Sequence, residues 1–223
     1  MSASRWARLP DGQPTAPQPT APGPLLPFWR ALRDNPRRVG ALLPSGQALA
    51  QAMLDLTLAE PPGHVVELGA GTGAITVALV RSVAAFDSLQ VMECNPRLAD
   101  GLRRRFPGTA VHACCASRLD ELHPGPIDRL TLVSSIPFGS LSAADRDRLL
   151  AAIARQTARC RDWRLLQYSY GGARLPFAPA GPAQGWTRLH TVWRNLPPAT
   201  LWRLAPLPQP AGAGTGQATS ASP

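Results

Sequence analysis

Lysine is absent from the sequence, so arginine supplies all 23 basic residues. A genome rich in G and C would produce the same bias, and the choice of arginine therefore indicates no function by itself. With only 14 acidic residues, the chain carries a formal net charge of +9. This excess of positive charge favours anionic partners, such as phosphate backbones or acidic lipid surfaces.

Cysteine is scarce and long apolar runs are missing. The four cysteines, at positions 94, 114, 115 and 160, form no Cys-x-x-Cys pair, which argues against a zinc site and favours reduced thiols in a cytosolic protein. No apolar run approaches the ~20 residues that a membrane-spanning helix needs, and the N-terminus lacks the apolar core of a signal peptide. Any contact with a membrane is therefore expected to be peripheral.

The chain of 223 residues suits a single domain. Residues 1–23 and 205–223 are rich in Pro, Ala and small polar residues. They are predicted to be disordered tails, because such segments cannot bury enough apolar surface to offset their ordering entropy. Between them we predict an N-terminal amphipathic segment at residues 24–45 and one folded domain at residues 46–204.

Short apolar segments alternate with helical ones along the folded domain. Predicted strands lie at residues 64–68, 89–93, 109–113, 129–135 and 163–170, and predicted helices at 74–83, 96–106 and from an N-cap at Ser142 to about residue 160. Segments 187–194 and 200–204 predict a closing antiparallel pair. This order favours an α/β fold with a mostly parallel sheet that is covered on both faces.

The strongest motif follows the first predicted strand and reads Glu67-Leu68-Gly69-Ala70-Gly71-Thr72-Gly73. Glycines at alternate positions let the backbone turn sharply and approach a ligand closely. The spacing differs from the G-x-G-x-x-G of dinucleotide folds, and the motif lacks the Lys-Ser/Thr ending of a triphosphate-binding loop. The motif therefore predicts a ligand-binding loop that belongs to neither of these two classes.

A second acid, Glu93, ends the second predicted strand. In a parallel sheet this position puts a carboxylate at the carboxyl end of the neighbouring strand, within reach of a ribose, whose two hydroxyls one carboxylate can accept. A solvated Glu at a strand end is the plainer alternative. For Glu67 two roles remain open: contact with the ligand, or hydrogen bonds that fasten the backbone of the loop.

The glycine motif and the second acid together resemble the class I S-adenosylmethionine-dependent methyltransferases. The resemblance implies a Rossmann-like fold, a methyltransferase domain at residues 46–204 and S-adenosyl-L-methionine as cofactor. In that family the glycine turn holds the methionine part of the cofactor, and the acid holds the ribose. The implied cofactor-binding residues are Glu67, Gly69, Ala70, Gly71, Gly73, Glu93, Cys94, Cys115 and Ala116.

Four further segments carry a finer resemblance: residues 35–45, 134–141 (S-S-I-P-F-G-S-L), 167–171 (Q-Y-S-Y-G) and 195–199 (N-L-P-P-A). Together they resemble the bacterial phospholipid N-methyltransferase family, itself similar to the rRNA adenine dimethyltransferases. The leading hypothesis is methyl transfer to the amine of an aminophospholipid such as phosphatidylethanolamine. RNA adenine methylation is the alternative. It fits the positive charge, but those relatives carry a helical domain after the core, and we expect no room for one beyond residue 204.

One position departs from the family pattern. After the third strand such enzymes usually have Gly-Asp-Ala, whose Asp accepts the amino proton of adenine, whereas this chain has Cys115 at the Asp position. Sulfur is a poor acceptor, so the departure predicts weaker cofactor binding or a substitute acceptor at Asp120. It also leaves a third alternative, a cofactor-binding protein without activity.

The candidate catalytic residues Ser135, Ile136, Pro137 and Phe138 follow the fourth predicted strand and resemble the polar-x-Pro-aromatic loop of amino methyltransferases. The resemblance implies that the loop's hydroxyl and carbonyls accept the protons of the amine, and that the ring of Phe138 stabilises its cationic character. An ordinary strand-to-helix turn is the alternative. Tyr168 and Tyr170 share one face of the fifth strand, where they line either a headgroup pocket or the core.

Residues 25–34 are predicted to form a short helix. Its apolar face contains Leu25, Phe28, Trp29 and Leu32, and arginines lie beside it at positions 30, 33, 37 and 38. A helix this short must dock on something, either on the domain itself or on an anionic membrane surface, which residues 25–38 would contact. The lipid hypothesis therefore predicts a cytoplasmic protein attached peripherally to the inner face of the membrane.

Overall fold

A computed structural model describes residues 44–123, 125–170, 175–179 and 181–208. The predicted tail at 1–23, the predicted helix with its neighbouring arginines, and residues 209–223 lie outside these ranges. The first described element is helix α1, Pro44–Leu58, for which sequence analysis predicted no helix. It buries Leu49, Met53 and Leu54 in the core, which is the pattern of an amphipathic helix.

The strands are β1 His64–Leu68, β2 Ser88–Met92, β3 Ala110–His112, β4 Ile127–Ser134, β5 Cys160–Tyr170, β6 Gln184–Val192 and β7 Ala199–Pro206. They form one seven-stranded sheet in the order β3-β2-β1-β4-β5-β7-β6. Strands β1 to β5 pair in parallel, whereas β7 is antiparallel to both β5 and β6. The predicted α/β fold, with a mostly parallel sheet and a C-terminal antiparallel pair, is confirmed.

The other helices are α2 Ala74–Arg81, α3 Pro96–Arg105 and α4 Ala143–Thr157, with 3-10 turns at Val83–Ala85, Ala116–Glu121 and Phe138–Ser140. The predicted N-cap of α4 is confirmed, because the Ser142 hydroxyl accepts a hydrogen bond from the Asp145 amide at 3.1 Å. Strand β5 begins before its predicted start at residue 163, since Cys160 and Asp162 already pair with β4. Within the described ranges, no helix is long and apolar enough to cross a membrane.

The core lies on both faces of the sheet, because successive side chains of a strand point to opposite sides. On β4, Leu132 packs into the cluster that contains residues of α4, and Val133 into the cluster that contains residues of α1 and α2. All the parallel strands end at the same edge of the sheet, which we call the carboxyl edge. The loops that follow these strands meet there, and ligands of open α/β sheets bind at such edges.

Candidate functional site

The glycine loop, residues 69–73, connects β1 to α2 at the carboxyl edge. Gly69, Gly71 and Gly73 have φ angles of 73°, 58° and 83°, a left-handed backbone that glycine adopts without the steric cost of a side chain. The Gly69 and Ala70 amides donate to the carbonyl oxygen of Met92 at 2.9 and 3.2 Å. The loop is therefore fastened to the end of the neighbouring strand β2.

The three glycines have different surroundings. A Cβ atom on Gly73 would lie 2.7 Å from Leu102 Cδ2, and one on Gly69 would lie 3.0 Å from Ile136 Cγ1. A Cβ atom on Gly71 would meet no atom of the described residues within 4 Å. The outer two glycines thus allow close packing within the protein, while the middle one borders open space into which a ligand can fit.

Glu93 immediately follows β2 and is 6% exposed. Its Oε2 accepts a hydrogen bond from the Gly71 amide at 2.7 Å, and its Oε1 accepts one from the Asn95 amide at 2.8 Å. Because a carboxylate oxygen has two acceptor sites, Oε2 can accept a further donor, whereas Oε1 also accepts from the Cys94 thiol. The structure therefore brings together the glycine loop and the second acid, and it excludes the alternative of a freely solvated Glu93.

Glu67 is fully buried beneath the glycine loop. Its Oε2 accepts a hydrogen bond from the Thr76 hydroxyl at 2.7 Å, while its Oε1 has no hydrogen-bond partner among the described residues. Burial raises the pKa of Glu67 to about 7, against the opposing effect of the Thr76 hydrogen bond and with a smaller contribution from Glu93. Glu67 therefore holds the first turn of α2 through a side chain, and one buried oxygen remains available.

Cys94 and Cys115 follow β2 and β3, and both are exposed. The Cys94 thiol donates to Glu93 Oε1, with a distance of 3.8 Å between the sulfur and the oxygen. Asp120, suggested as a substitute acceptor for the cofactor, is engaged elsewhere. Its carboxylate accepts a hydrogen bond from Arg155 of α4, with a distance of 2.7 Å from Nε to Oδ2.

The acceptor loop, residues 135–138, lies beside the glycine loop. The Ser135 amide donates to the Leu68 carbonyl oxygen at 2.9 Å, and the Gln167 side-chain amide donates to the Ile136 carbonyl oxygen at 3.2 Å. These bonds tie the loop to β1 on one side and to β5 on the other. With the close approach of Ile136 to Gly69, the two sequence-predicted loops form one continuous rim.

Phe138 differs from the expectation for this loop. Its side chain is 3% exposed, and its ring lies 4.5 Å from the ring of Phe177, which in turn packs against Trp186. The ring is therefore part of the core that α4 covers. In this arrangement its face is not available to a cationic amine, and Phe138 anchors the loop instead.

Tyr168 and Tyr170 lie on β5, and their rings meet edge to face with the centroids 5.5 Å apart. Ser135 acts to lower the pKa of the Tyr168 hydroxyl and Asn195 that of the Tyr170 hydroxyl, and both effects oppose the effect of burial. Burial raises the pKa of both tyrosine hydroxyls, so they remain protonated and can donate at neutral pH. Sequence analysis noted the two tyrosines, but it noted Asn195 only as part of a resembling segment.

The apolar turn, residues 193–198, joins β6 to β7. Because β6 runs in the same direction as β5, this turn lies at the carboxyl edge. Trp193 is 77% exposed and Leu196 is 84% exposed, although Asn195 between them is buried. Asn195 donates from its side-chain nitrogen to the Pro197 carbonyl oxygen at 2.6 Å, which holds the turn in shape. Two large apolar side chains therefore project into solvent at the same edge of the sheet as the acceptor loop.

Comparison with known proteins gives one curated relative of note. Ribosomal RNA small subunit methyltransferase A of Synechococcus sp. (strain RCC307) is 28% identical over 122 residues, which are 53% of this chain and 43% of that protein. The match thus spans less than half the length of the relative. No protein-family model matches the chain.

Solved structures resemble the fold over most of its length. The N-methyltransferase NodS from Bradyrhizobium japonicum WM9, in complex with S-adenosyl-L-homocysteine, has a TM-score of 0.56 at 15% identity and covers 81% of this chain and 97% of its own. A Burkholderia thailandensis 1,6-didemethyltoxoflavin-N1-methyltransferase with bound S-adenosylhomocysteine has a TM-score of 0.54 at 15% identity, covering 87% and 94%. The chain therefore has the Rossmann-like fold of class I methyltransferases.

Proposed function

We propose that the protein is an S-adenosylmethionine-dependent N-methyltransferase that acts on the amine of an aminophospholipid headgroup, such as that of phosphatidylethanolamine. The observation that carries methyl transfer is the contact between the glycine loop and the acceptor loop, where a Cβ on Gly69 would lie 3.0 Å from Ile136. A donor and an acceptor held by these two loops would be neighbours, and methyl transfer needs little more than correct positioning.

The residues of the glycine loop fit the cofactor. Gly71 borders open space, and Glu93 is oriented by two backbone amides with acceptor capacity to spare. In the proposal the glycine loop binds the methionyl end, Glu93 binds the ribose, and Cys94, Cys115 and Ala116 border the adenine. When bound, S-adenosylmethionine supplies a methyl group activated by its sulfonium charge. The relative and the solved structures that bind its demethylated product support this assignment.

The acceptor loop would orient the amine. A nitrogen must present its lone pair to the methyl group, so its protons must point toward acceptors on the protein. The Ser135 hydroxyl and the carbonyl oxygens of residues 135–137 are the acceptors in this proposal. Tyr168 and Tyr170 are positioning residues in this proposal, because they follow Gln167, whose side chain holds the Ile136 carbonyl oxygen, and their rings pack edge to face beside it.

The apolar turn supports a lipid as the acceptor molecule. Trp193 and Leu196 are exposed beside Arg194, on the same edge as the acceptor loop. An aromatic ring, an aliphatic side chain and an arginine suit the boundary between headgroups and acyl chains. A headgroup amine would then reach the acceptor loop while its acyl chains remain in the membrane. The net charge of +9 favours an anionic surface.

RNA adenine methylation is the second candidate. Its support is the relative named as a ribosomal RNA methyltransferase, together with the positive charge. Trp193 and Arg194 also suit a nucleic acid, since a base stacks on an aromatic ring and a phosphate pairs with arginine. The two candidates therefore share the cofactor site and differ in what contacts the apolar turn.

The two candidates are separated by following the label from methyl-labelled S-adenosylmethionine. The full chain is incubated with vesicles of phosphatidylethanolamine and phosphatidylglycerol, with matched vesicles in which phosphatidylcholine replaces phosphatidylethanolamine, and with ribosomal RNA. We expect label only in the lipid of the first sample. Label in RNA would favour the second candidate. No transfer by a protein that still binds S-adenosylhomocysteine would favour the inactive cofactor-binding protein.

A further inference from the structure

Helix α3 has an arginine face, formed by Arg97, Arg104 and Arg105, whose side chains are all exposed. Because each residue of an α-helix turns by about 100°, the three arginines lie within an arc of about 100° on one side of the helix. The other side packs into the core through Ala99 and Leu102. Helix α3 therefore presents positive charge to solvent along its exposed side.

The charge of the arginine face is not neutralised within the described part of the chain. The acid of α3 is Asp100, and its carboxylate pairs with Arg103 at 3.0 Å. The side chains of Arg97 and Arg104 form no ion pair with any described residue. A Cβ atom on Gly101, one turn after Arg97, would meet no neighbouring element within 4 Å among the described residues. The arginine face is therefore open to an anion.

Both ends of α3 are connected to the carboxyl edge. Its N-cap, Asn95, lies in the loop after β2 and accepts a hydrogen bond from the Arg97 amide at 3.0 Å. Near its other end, the Arg105 guanidinium donates to the Thr72 carbonyl oxygen of the glycine loop at 3.2 Å. A guanidinium has five N–H donors, so Arg105 keeps donors for a further acceptor. The arginine face therefore borders the carboxyl edge beside the glycine loop.

The sheet order places the arginine face and the apolar turn on opposite sides of the acceptor loop. Strand β4, which leads into the acceptor loop, is two strands from β2 and three strands from β6. With neighbouring strands about 4.8 Å apart, the start of α3 and the apolar turn are separated by about 24 Å along the edge. An anionic surface that lies across this edge would contact both of them, with the acceptor loop in between.

We propose that the arginine face of α3 binds the phosphate groups of acidic phospholipids and is a second membrane contact, in addition to the apolar turn. The contact rests on the proposed function, because the proposed substrate lies in the membrane. One apolar contact and one cationic contact together give a stable peripheral attachment that neither gives alone. A membrane is favoured over RNA because α3 contains no aromatic side chain on which a base could stack.

Sedimentation of the full chain with vesicles of phosphatidylethanolamine and phosphatidylglycerol tests this contact. Arg97→Gln combined with Arg104→Gln should bind about 25-fold more weakly than wild type, from about fivefold for each arginine near an anionic surface. The matched control is Arg81→Gln combined with Arg161→Gln, which removes the same charge from exposed arginines at the opposite edge of the sheet. The control should bind within about twofold of wild type, because charges farther than a Debye length from the surface are screened.

A second pair of substitutions tests whether the charge itself is responsible. Arg97→Lys combined with Arg104→Lys keeps the positive charge and should bind the vesicles as wild type does. Calorimetry should give wild-type affinity for S-adenosylhomocysteine in all three double variants, because the changed side chains are exposed and lie outside the proposed cofactor site. Weak binding by the lysine variant, equal binding by the two glutamine variants, or no binding of wild type to the acidic vesicles would overturn the proposal.

RNA binding and methyl transfer are measured on the same variants. If Arg97→Gln with Arg104→Gln lost affinity for ribosomal RNA but bound vesicles as wild type does, the arginine face would be an RNA contact and the proposal would be wrong. If wild type bound the vesicles through α3 but transferred no label to their lipid, the membrane contact would stand and the proposed function would be contradicted. Normal label transfer by this variant with unchanged vesicle binding would support the function and overturn the contact.

Discussion

The glycine-loop half of the carboxyl edge is shaped by main-chain groups, whereas the acceptor half depends on side chains from three distant segments. Around the glycine loop, backbone amides donate to the Met92 carbonyl oxygen and to the Glu93 carboxylate within one strand–helix–strand unit. In the acceptor half, Gln167 donates to the Ile136 carbonyl oxygen and Trp202 donates to the Ser169 hydroxyl, because β4, β5 and β7 are neighbours. Substitutions that distort the backbone should therefore affect the glycine-loop half most. Substitutions that remove a single polar atom should affect the acceptor half most.

The largest expected effect is the loss of cofactor affinity in Glu93→Ala. The substitution removes the carboxylate proposed to bind two ribose hydroxyls and leaves the Gly71 amide without its partner. We expect a loss of about 2–4 kcal/mol in binding free energy, counted as charge-assisted hydrogen bonds. Calorimetry with S-adenosylhomocysteine measures it. Glu93→Gln keeps the shape and should lose less, while unchanged affinity in a folded Glu93→Ala protein would remove Glu93 from the site.

Ser135→Ala tests the acceptor half through its polar atoms. We expect turnover to fall by about 100-fold, because misplacement of an acceptor by ~1 Å has an effect of that size, while the affinity for S-adenosylhomocysteine stays unchanged. Tyr168→Phe removes only the hydroxyl of a residue on the neighbouring strand β5 and should lower kcat less. Equal losses of turnover and cofactor affinity would contradict the division of the edge into two halves.

Alanine substitutions of Gly73 and Gly71 distinguish a glycine needed for packing within the protein from one needed for close contact with the cofactor. Gly73→Ala should reduce the free energy of unfolding by about 1–3 kcal/mol, because its Cβ would lie 2.7 Å from Leu102 at a φ of +83°. Gly71→Ala has backbone strain but no such contact, so it should cost less stability and more cofactor affinity. Urea denaturation and calorimetry on both variants check this. If Gly73→Ala lost more affinity and Gly71→Ala lost more stability, the open side of the loop would instead be at Gly73.

The free energy of unfolding should also depend on pH, because Glu67 is buried. Its folded-state pKa of about 7 exceeds the ordinary value of 4.5, so the folded protein holds the proton more tightly than the unfolded chain does. The free energy of unfolding should therefore fall as pH rises from about 4.5 to about 7, by up to about 1.4 kcal/mol per pH unit. Urea denaturation of wild type and Glu67→Gln across this range measures the difference. A constant difference would show that Glu67 ionises as it does in water.

The smallest expected effect concerns the apolar turn. Trp193→Ala combined with Leu196→Ala should weaken binding to vesicles of phosphatidylethanolamine and phosphatidylglycerol by about fivefold, since about 1 kcal/mol of apolar contact is lost. Leu58→Ala combined with Val83→Ala is the matched control, because those exposed side chains lie at the opposite edge of the sheet. Vesicle sedimentation measures both. Equal binding by the two double variants would exclude the turn as a membrane contact.

Sequence analysis predicted the glycine-loop half of the carboxyl edge better than the acceptor half. The glycine loop, Glu93 and the N-cap at Ser142 were predicted because their partners lie within one strand–helix–strand unit, where spacing along the chain implies proximity. Helix α1 was missed, because only its first two residues belong to a resembling segment and no element was assigned to residues 46–58. The ring of Phe138 was given the wrong environment, because its burial depends on Phe177, which lies far along the chain.

The sequence by itself determined the order of strands and helices, the class of fold and the loop that is proposed to hold the cofactor. These features depend on alternating apolar segments and on glycines at fixed spacing, both of which are local. Only the tertiary structure decided that Phe138 packs against Phe177, that Gln167 donates to the Ile136 carbonyl oxygen, and that Trp193 and Leu196 are exposed. The physical reason is that parallel pairing brings the ends of separate strands to one edge, so residues distant in the chain become neighbours there.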